Sequence, residues 1–375
     1  MRIVIVGPCH PYRGGIAKFN DTLMTKFQEI GHQVTMVNFS MQYPWLLFPG
    51  KTQYTDDPAP EDFDNHRIIN SVNPFSWFRA ISYIVSLKPQ VVLFRYWMPF
   101  FAPAFGTMAR VLRKKGIRTV ALTDNIVPHE PRFYDNWLTE YFLKGIGRVV
   151  YMSSQVGLDL KQFHFTGEKI MVQHPIYDTY GAKVPREEAC AHLGLDPAFR
   201  YVLFFGFVRH YKGLDMLLEA WSFLKDETPK KLIIAGEFYE DRYETMVAIS
   251  DYGLADKIIF NDKYIPDDEV RYYFSAADLL VLPYRSATQS GVTQVAYHFG
   301  VPMVVTMAGG LGETVKHGEV GFVTHVNALA IQQAIDRFFD EGWLPRMREN
   351  IGSYKKRFSW IAMCRAVIEY ECNYK

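Results

Sequence analysis

The sequence predicts an α/β protein made of two doubly wound parallel sheets, one in each half of the chain. Three observations lead to this prediction. Short, continuous apolar runs alternate with helical segments over nearly all of the 375 residues, as in parallel strands that are covered on both faces. This alternation stops near Tyr177 and begins again at Tyr201. The chain is also too long to form one compact core.

Continuous apolar runs mark the predicted strands in each half. In the first half the runs are Ile3–Val6, Gln33–Val37, Gln90–Phe94, Thr119–Leu122 and Val149–Met152. In the second half they are Val202–Phe205, Leu232–Ala235, Lys257–Phe260, Leu279–Leu282, Met303–Thr306 and Gly321–Thr324. The first helix keeps apolar residues on one face from Ile16 to Ile30 and is predicted to end at Gly31. Right-handed crossovers would then place ligands at the carboxyl ends of the strands.

A polar segment, Tyr177–Glu187, separates the two series of strands. It predicts a first domain over residues 1–178 and a second over residues 179–353, which face each other across a cleft that would hold the site. The segment Tyr43–Asn73 has no clear period and is acidic in its middle. We therefore expect a long loop there.

Composition excludes several classes of protein. A net charge of +1 gives no bulk electrostatic attraction to nucleic acid. The 4 cysteines are scattered without metal-ligand spacing, which indicates a reduced, cytosolic protein. The apolar run at the N-terminus is too short for a signal peptide, and no segment has the roughly 18 apolar residues of a spanning helix. We expect a soluble protein, or one that lies against a membrane.

Two loops carry the pattern expected of a diphosphate site. In the first, an apolar strand ends at Gly206, and Arg209 and Lys212 follow just before a helix. The second leads through Ser290 and Gly291 into another helix, at Val292. Helix N-termini expose N–H groups and carry partial positive charge, and the two cations would complete the neutralisation. Solvated surface cations are the alternative, but their place after a strand favours phosphate.

The first half offers weaker candidates. Gly14 and Gly15 follow the first strand, where they would allow a ligand close to the backbone or simply form a tight turn. Asp124 and His129 follow the fourth strand and could orient a substrate hydroxyl or accept its proton. The alternative is a structural loop in which Asp124 caps its own turn.

Several segments of the second half resemble one family. They are Gly206–Ala220, Ile234–Glu237, Phe274–Pro283, Gly300–Val305 and Gly309–Val315. Together they resemble glycosyltransferase family 4, retaining enzymes with two Rossmann-like domains, the GT-B fold. The first half is similar mainly at Arg13–Ile16 and more loosely at Asp124–Glu130.

The resemblance implies a metal-independent, retaining hexosyltransferase without a cofactor. Its substrates would be a UDP- or GDP-linked sugar and a hydroxyl of a glycan or lipid-linked oligosaccharide, in cell-surface polysaccharide synthesis. The enzyme would be cytoplasmic, with peripheral contact at the inner face of the cytoplasmic membrane. The resemblance also implies that residues 354–375, with a helical segment from Trp360 to Tyr370, return to the first domain.

One part of the family pattern is missing. Many relatives carry two glutamates, eight residues apart, in the loop and helix that contact the donor; Ala287 and Val295 stand at those positions here. The nearby polar side chains are those of Gln289, Ser290 and Gln294, and amides can hydrogen-bond sugar hydroxyls without charge. Two further donor-binding candidates are Glu237 and Glu313, although Glu313 would equally suit the first turn of a helix.

Other interpretations were weighed. Asp62-Phe63-Asp64 could hold a metal ion, but its place in a proline-rich acidic segment favours a solvated loop. The aromatic segment Trp97–Phe105, followed by a basic helix end, could meet a membrane, but a helix packed on the sheet is favoured. A sugar-nucleotide epimerase of the same fold and a non-catalytic sugar-nucleotide-binding relative remain alternative functions.

Overall fold

The structure is a computed structural model that describes residues 1–45, 52–55, 58–128, 132–225, 228–239, 241–287 and 290–369. Its contacts divide the chain into two compact units. The first runs from Met1 to His174 and resumes at Ser359, and the second is Pro175–Phe358. The limits derived from sequence, 178 and 353, lie close to these positions.

The first unit is built on a parallel sheet. Its described strands are β1 (Arg2–Val6), β2 (Gln33–Met41), β3 (Asn65–Asn70), β4 (Val91–Tyr96), β5 (Arg118–Thr123), β6 (Arg148–Tyr151) and β7 (Glu168–Met171). Its helices up to residue 174 are α1 (Gly15–Glu29), α2 (Pro74–Ser86), α3 (Ala102–Lys114), α4 (Asp135–Leu143) and α5 (Ser154–Asp159). The strand order is β3-β2-β1-β4-β5-β6-β7.

The second unit repeats this plan. Its described strands are β8 (Arg200–Phe205), β9 (Lys230–Ala235), β10 (Ile258–Asn261), β11 (Leu279–Leu282), β12 (Met303–Thr306) and β13 (Gly321–Thr324). Its described helices are α6 (Arg186–Leu193), α7 (Leu214–Ser222), α8 (Tyr243–Asp251), α9 (Asp267–Ala276), α10 (Gly291–Phe299), α11 (Leu311–Thr314), α12 (Ala328–Asp340) and α13 (Leu344–Tyr354). The strands are parallel, in the order β10-β9-β8-β11-β12-β13.

A last helix, α14 (Trp360–Ile368), belongs to the first unit. The Trp360 ring packs 4.9 Å from the Phe19 ring of α1, centroid to centroid. Arg148 on β6 donates a hydrogen bond to the Ala366 carbonyl at 2.9 Å. The first sheet and α1 therefore hold this segment by both packing and hydrogen bonds.

Strand order sets the position of any ligand site. In the first sheet the order reverses between β1 and β4, and in the second it reverses between β8 and β11. At such a reversal the connections leave toward opposite faces and open a crevice outside the carboxyl ends of the strands. The loops that follow β8 and β11 are those that carry the predicted diphosphate residues.

The sequence-based assignment missed two edge strands. Residues 43–73 were predicted to be a loop, but β3 lies within them, and β7 was not predicted at all. β3 is mostly polar, β7 has two polar and two apolar residues, and of the two strands only Ile69 of β3 is buried. An edge strand needs no continuous apolar run, so the criterion that found the central strands could not find these.

The aromatic segment before α3 lies in the core. Trp97, Phe101 and Phe105 are buried, and Phe101 packs against Phe39 of β2 with ring centroids 5.1 Å apart. The favoured interpretation of a helix packed on the sheet is confirmed, and these aromatic side chains do not face a membrane. Among the described residues, no helix combines the length and apolar character needed to cross a bilayer.

Candidate functional site

The loop after β8 places a lysine amine over the backbone of a glycine. Gly206 has φ +97°, and a short 3₁₀ turn, His210–Lys212, then leads into α7. The Lys212 Nζ lies 3.2 Å from the position that a Cβ on Gly206 would occupy. A side chain at position 206 would therefore push the amine away from the end of the strand.

The Lys212 amine is buried without a counter-ion in the described part of the chain. The residue is 8% exposed, and its Nζ lies 5.6 Å from the Tyr284 ring centroid. Burial and the charge of Arg209 lower the pKa of Lys212 to about 7. Burial raises the pKa of both Tyr211 and Tyr284, so these phenols stay neutral. A diphosphate at this edge would supply the missing negative charge and favour the ammonium form.

Arg209 is the exposed partner in the same loop. Its guanidinium carbon lies 4.9 Å from the ring centroid of Tyr239, which follows β9. Phe207 packs on the same ring, with centroids 4.5 Å apart. Stacking on an aromatic face holds the guanidinium in place while its N–H donors remain available for an anion.

An ion pair that sequence reasoning missed joins the two site loops. Arg285, which follows β11, pairs with Asp215 in the first turn of α7, with Nη1 to Oδ1 at 2.7 Å and Nη2 to Oδ2 at 2.5 Å. The Arg285 backbone N–H also donates to the Tyr211 carbonyl at 2.7 Å. Partial burial raises the pKa of Asp215, but the hydrogen bonds and charge of Arg285 lower it by more. Arg285 therefore fixes the loop that carries Lys212.

The N-terminus of α10 lies after β11, the strand next to β8, at the same carboxyl edge of the sheet. Ser290 precedes the helix, and the Gly291 and Val292 N–H groups fall in the first turn, where helices lack internal acceptors. The Ser290 hydroxyl lies 3.5 Å from the Tyr284 hydroxyl, so this turn and Lys212 share a neighbour. Gln289, also predicted to contact the donor, lies outside the described residues.

Buried apolar side chains occupy the two positions at which many relatives carry glutamates. Ala287 and Val295 are both buried, each 4% exposed, so small apolar side chains fill the positions. Gln294 is fully buried, and neither atom of its amide has a hydrogen-bond partner among the described residues. Leaving a buried amide unpaired costs about 1–3 kcal/mol. A ligand that reached this amide would recover part of that cost.

The two glutamate candidates lie in different surroundings. Glu237 follows β9 and is buried, and its backbone carbonyl accepts a hydrogen bond from the Val208 N–H at 2.9 Å. It therefore borders the Lys212 loop. Glu313 lies in the short helix α11 and is exposed. The loop before α11 is tied to the loop after β11, because the Gly310 N–H donates to the Ala287 carbonyl at 3.0 Å.

In the first unit, the predicted glycines form the start of α1. Gly14 is the N-cap residue, with φ +103°, and Gly15 is the first helical residue. A Cβ at Gly15 would meet no atom within 4 Å. The turn after β1 is therefore open above the backbone, as a close ligand approach requires.

Asp124, the acceptor-side candidate, is held by an arginine that sequence reasoning missed. Arg95 at the end of β4 donates from Nε to Oδ2 at 2.8 Å and from Nη2 to Oδ1 at 2.5 Å. Arg95 is 1% exposed, and its guanidinium carbon lies 4.1 Å from the Phe19 ring centroid. A carboxylate with both oxygens bonded to a buried guanidinium is a better positioning group than a proton acceptor. His129 lies outside the described residues.

If the chain catalyses the transfer that the sequence predicts, we expect Asp124→Asn to lower its turnover by less than about tenfold, because the amide keeps most of the shape and one acceptor for Arg95. Loss of a general base would instead cost about 10²–10⁴-fold. Steady-state rates with saturating donor separate these results. Ser71→Ala, another small buried polar change in the same unit, is the control for general packing effects. A loss of 10²-fold or more in Asp124→Asn alone would assign Asp124 the role of base.

The acidic Asp-x-Asp segment makes protein contacts. Asp64 accepts from the Thr35 hydroxyl at 2.7 Å through Oδ2, and its Oδ1 lies 2.8 Å from His66 Nε2. Asp62 is an exposed residue with φ +50°. Within the described ranges, no group of three or more His, Cys, Asp or Glu side chains is placed to hold a metal ion.

Comparison with known proteins agrees with this architecture. Residues 199–341 match the family model described as Glycosyl transferases group 1. A D-inositol 3-phosphate glycosyltransferase of Streptomyces scabiei is 25% identical over 279 residues, which are 71% of this chain and 61% of the relative. The lipopolysaccharide core biosynthesis mannosyltransferase LpsB of Rhizobium meliloti is 34% identical over 168 residues, 42% of this chain and 46% of the relative. The chain spans about half the length of the curated relatives it matches.

A solved structure extends the similarity to both units. HepE of Anabaena, solved in complex with UDP, superposes with a TM-score of 0.74 and 15% identity over 97% of this chain and 98% of HepE. The two parallel sheets and these superpositions define the class of the fold as GT-B, and the match to the group 1 glycosyltransferases covers residues 199–341 of the second unit. The predicted fold class is confirmed, and the match of residues 199–341 supports the predicted family.

Proposed function

We propose that the chain is a retaining glycosyltransferase that acts without a metal ion or cofactor. It transfers a hexose from a UDP- or GDP-linked sugar to a hydroxyl of a growing, lipid-linked glycan. The reaction belongs to cell-surface polysaccharide synthesis and takes place in the cytoplasm, at the inner face of the membrane. One observation carries the proposal: the Lys212 amine, buried without a counter-ion in the described chain, lies at the carboxyl edge of β8, close to two helix N-termini.

The donor diphosphate binds at this edge. Lys212 and Arg209 stabilise the negative charge that develops on the departing phosphate, which is commonly the largest electrostatic contribution to such a reaction. The first N–H groups of α10, at Gly291 and Val292, bind phosphate oxygens. Ser290, Gln294 and Glu237 lie along the same edge as candidate contacts for the rest of the donor.

The acceptor side is supplied by the first unit. Asp124, positioned by Arg95, and His129 act on the acceptor hydroxyl, and the open turn at Gly14 and Gly15 receives substrate. Reaction on one face of the sugar lets the leaving diphosphate help to accept the proton. No dedicated nucleophile is then required.

The relatives support the choice of substrates. HepE is described in complex with UDP, which supports a nucleoside diphosphate as the leaving group. LpsB is described as a mannosyltransferase of lipopolysaccharide core biosynthesis, which supports a lipid-linked glycan as the acceptor.

The proposal is tested in two stages. First, thermal shift with UDP, GDP and their sugars identifies the donor, since a ligand that binds only the folded form raises its melting temperature. Transfer is then measured with that donor, a lipid-linked acceptor and excess EDTA, and the anomeric configuration of the product is read by NMR. Acceptor-dependent transfer with retention supports the proposal. Conversion of the donor to an epimeric nucleotide sugar without acceptor would indicate an epimerase, and binding without any reaction would indicate a non-catalytic relative.

A further inference from the structure

A cavity of about 490 Å³ lies beside β10, the outer strand of the second sheet. The helix at this end of the sheet is short: α6 has 8 residues and ends before Gly194, which has φ +66°. No described strand pairs with the outer side of β10, and its residues are half-buried. Space is therefore left between the end of α6 and the edge of the sheet.

The walls of this cavity are mainly apolar. Ile259 of β10 and its neighbour in register on β9, Ile233, belong to them. The Tyr273 hydroxyl in the wall already accepts a hydrogen bond from the Asn261 amide. A volume of about 300–1,000 Å³ with mostly apolar walls is typical of a site for one small molecule. The apolar and aromatic side chains that line the cavity are those of Leu193, Leu195, Ile233, Ile259, Phe260 and Tyr273.

The charged side chains of the cavity lie near the carboxyl end of β10. Both oxygens of Asp262 are bonded within the protein: Oδ1 accepts from the Phe238 N–H at 3.1 Å, and Oδ2 lies 3.1 Å from Arg242 Nη1. The Arg242 side chain is 59% exposed, so its other N–H groups can reach a ligand. Lys263 is exposed and makes no hydrogen bond or ion pair within the described ranges. Among the lining residues, the charge that is available to a ligand is therefore positive.

The cavity is separate from the edge that we propose for the donor. β9 lies between β10 and β8, and neighbouring strands are about 4.8 Å apart, so the outer strand is about 10 Å from β8. The residues that line the cavity do not belong to the loops after β8 and β11. A ligand in this cavity would therefore occupy a second site.

We propose that the cavity binds a small amphipathic anion, which is a molecule with an apolar or aromatic body and one carboxylate, sulfonate or phosphate group. The body packs against Leu193, Leu195 and Ile259, and the anionic group lies at Lys263 and Arg242. A cation of the same shape would be repelled by these two side chains. The inference goes beyond the proposed function and uses none of the residues of the donor or acceptor sites.

Fluorescence titration of the full chain with anilinonaphthalene sulfonate tests this inference. The probe has an aromatic body and one sulfonate, and N-phenylnaphthylamine has the same rings without the charge. We expect about one sulfonate probe to bind per chain at this site. Lys263→Glu should weaken its binding about tenfold, because an attraction becomes a repulsion, and should leave the neutral probe unchanged. Leu195→Ser should weaken both probes roughly tenfold, since each loses contact with an apolar wall.

Matched residues of the same unit provide the controls. Lys356→Glu, at an exposed lysine, and Leu329→Ser, at a 57% exposed leucine of α12, should leave the binding of both probes unchanged. Thermal melting shows that each variant is folded. Excess UDP should not displace the sulfonate probe from the wild type.

Four results would overturn the inference: no binding of the sulfonate probe, its displacement by UDP, an equal loss in the control variants, or equal effects of Lys263→Glu on the two probes. Since the titrations contain neither donor sugar nor acceptor, any of these results would leave sugar transfer to be judged separately.

Discussion

Lys212→Met is expected to lower kcat/KM for sugar transfer by about 10²–10³-fold, the usual cost of removing one preorganised group from a developing negative charge. The same change should leave the melting temperature of the free protein equal or raise it. The reason is that burial lowers the pKa of Lys212 to about 7, which means that the charged form is unfavourable in the free protein. Methionine keeps the length of the side chain and removes that penalty.

The combination of stable folding and lost turnover distinguishes a site residue from a core residue. Lys356→Met, at an exposed lysine of the same unit, is the matched control and should retain both properties. Turnover is followed by acceptor-dependent release of nucleoside diphosphate, and stability by thermal melting. If Lys212→Met kept its turnover, Lys212 would have no part in the reaction.

Gly213→Ala is expected to destabilise the second unit by about 2–5 kcal/mol, as the sum of left-handed backbone strain and a steric clash. Gly213 has φ +68°, and its Cβ would lie 2.1 Å from the Pro283 carbonyl oxygen. The backbone of the loops after β8 and β11 would have to separate. Because Gly213 directly follows Lys212, the affinity for UDP should fall together with stability.

Gly194→Ala is the control that measures the left-handed backbone strain without the steric clash. Gly194 ends α6 with φ +66°, nearly the same as Gly213, but its Cβ would meet nothing within 4 Å. It should cost only about 1–2 kcal/mol and should not change UDP affinity. Urea unfolding and UDP titration of both variants measure these effects. Equal destabilisation by the two substitutions would show that the loops do not pack as closely as the structure indicates.

The sequence predicted the central strands because each is covered on both faces. Val202–Phe205 of β8 and the whole of β11 are continuous apolar runs, and the helices that follow them are preceded by Gly213 and Ser290. The candidate diphosphate loop could also be proposed from the local sequence, since Gly206, Arg209 and Lys212 lie within one strand–helix connection. A motif whose residues lie close together in the sequence, and whose chemical role follows from their types, can be identified without knowledge of the fold.

The ion pairs could not be predicted in this way. Arg285 and Asp215 are 70 residues apart, and Arg95 and Asp124 are 29 apart. Each pair forms only because parallel strands bring their carboxyl ends to one edge. Nothing in the sequence near Asp124 indicated that an arginine would occupy both of its oxygens, and its candidacy as a base rested on position alone.

Burial also changed the interpretation of individual side chains. Gln294 was predicted to contact the donor because it is a polar side chain near the missing glutamates, and the structure adds that its amide is fully buried at the start of α10. The Trp97–Phe105 aromatics are core residues, whereas the exposed Phe133 and Trp137 gave no sequence signal of exposure. Which face of a helix meets the sheet is set by packing over the whole unit, and short helices carry too few residues to reveal it.

The affinity for UDP as a function of pH, compared between the wild type and Lys212→Met, tests the central claim most directly. Lys212 has a pKa of about 7 in the free protein, and a bound diphosphate would raise it, so binding above pH 7 must take up a proton. The terminal phosphate of UDP, with a pKa of about 6, is largely ionised above pH 7. The account predicts that the wild-type affinity falls by up to about tenfold per pH unit above pH 7, and that the affinity of Lys212→Met is weak and flat over the same range. Identical pH profiles for the two proteins would contradict it.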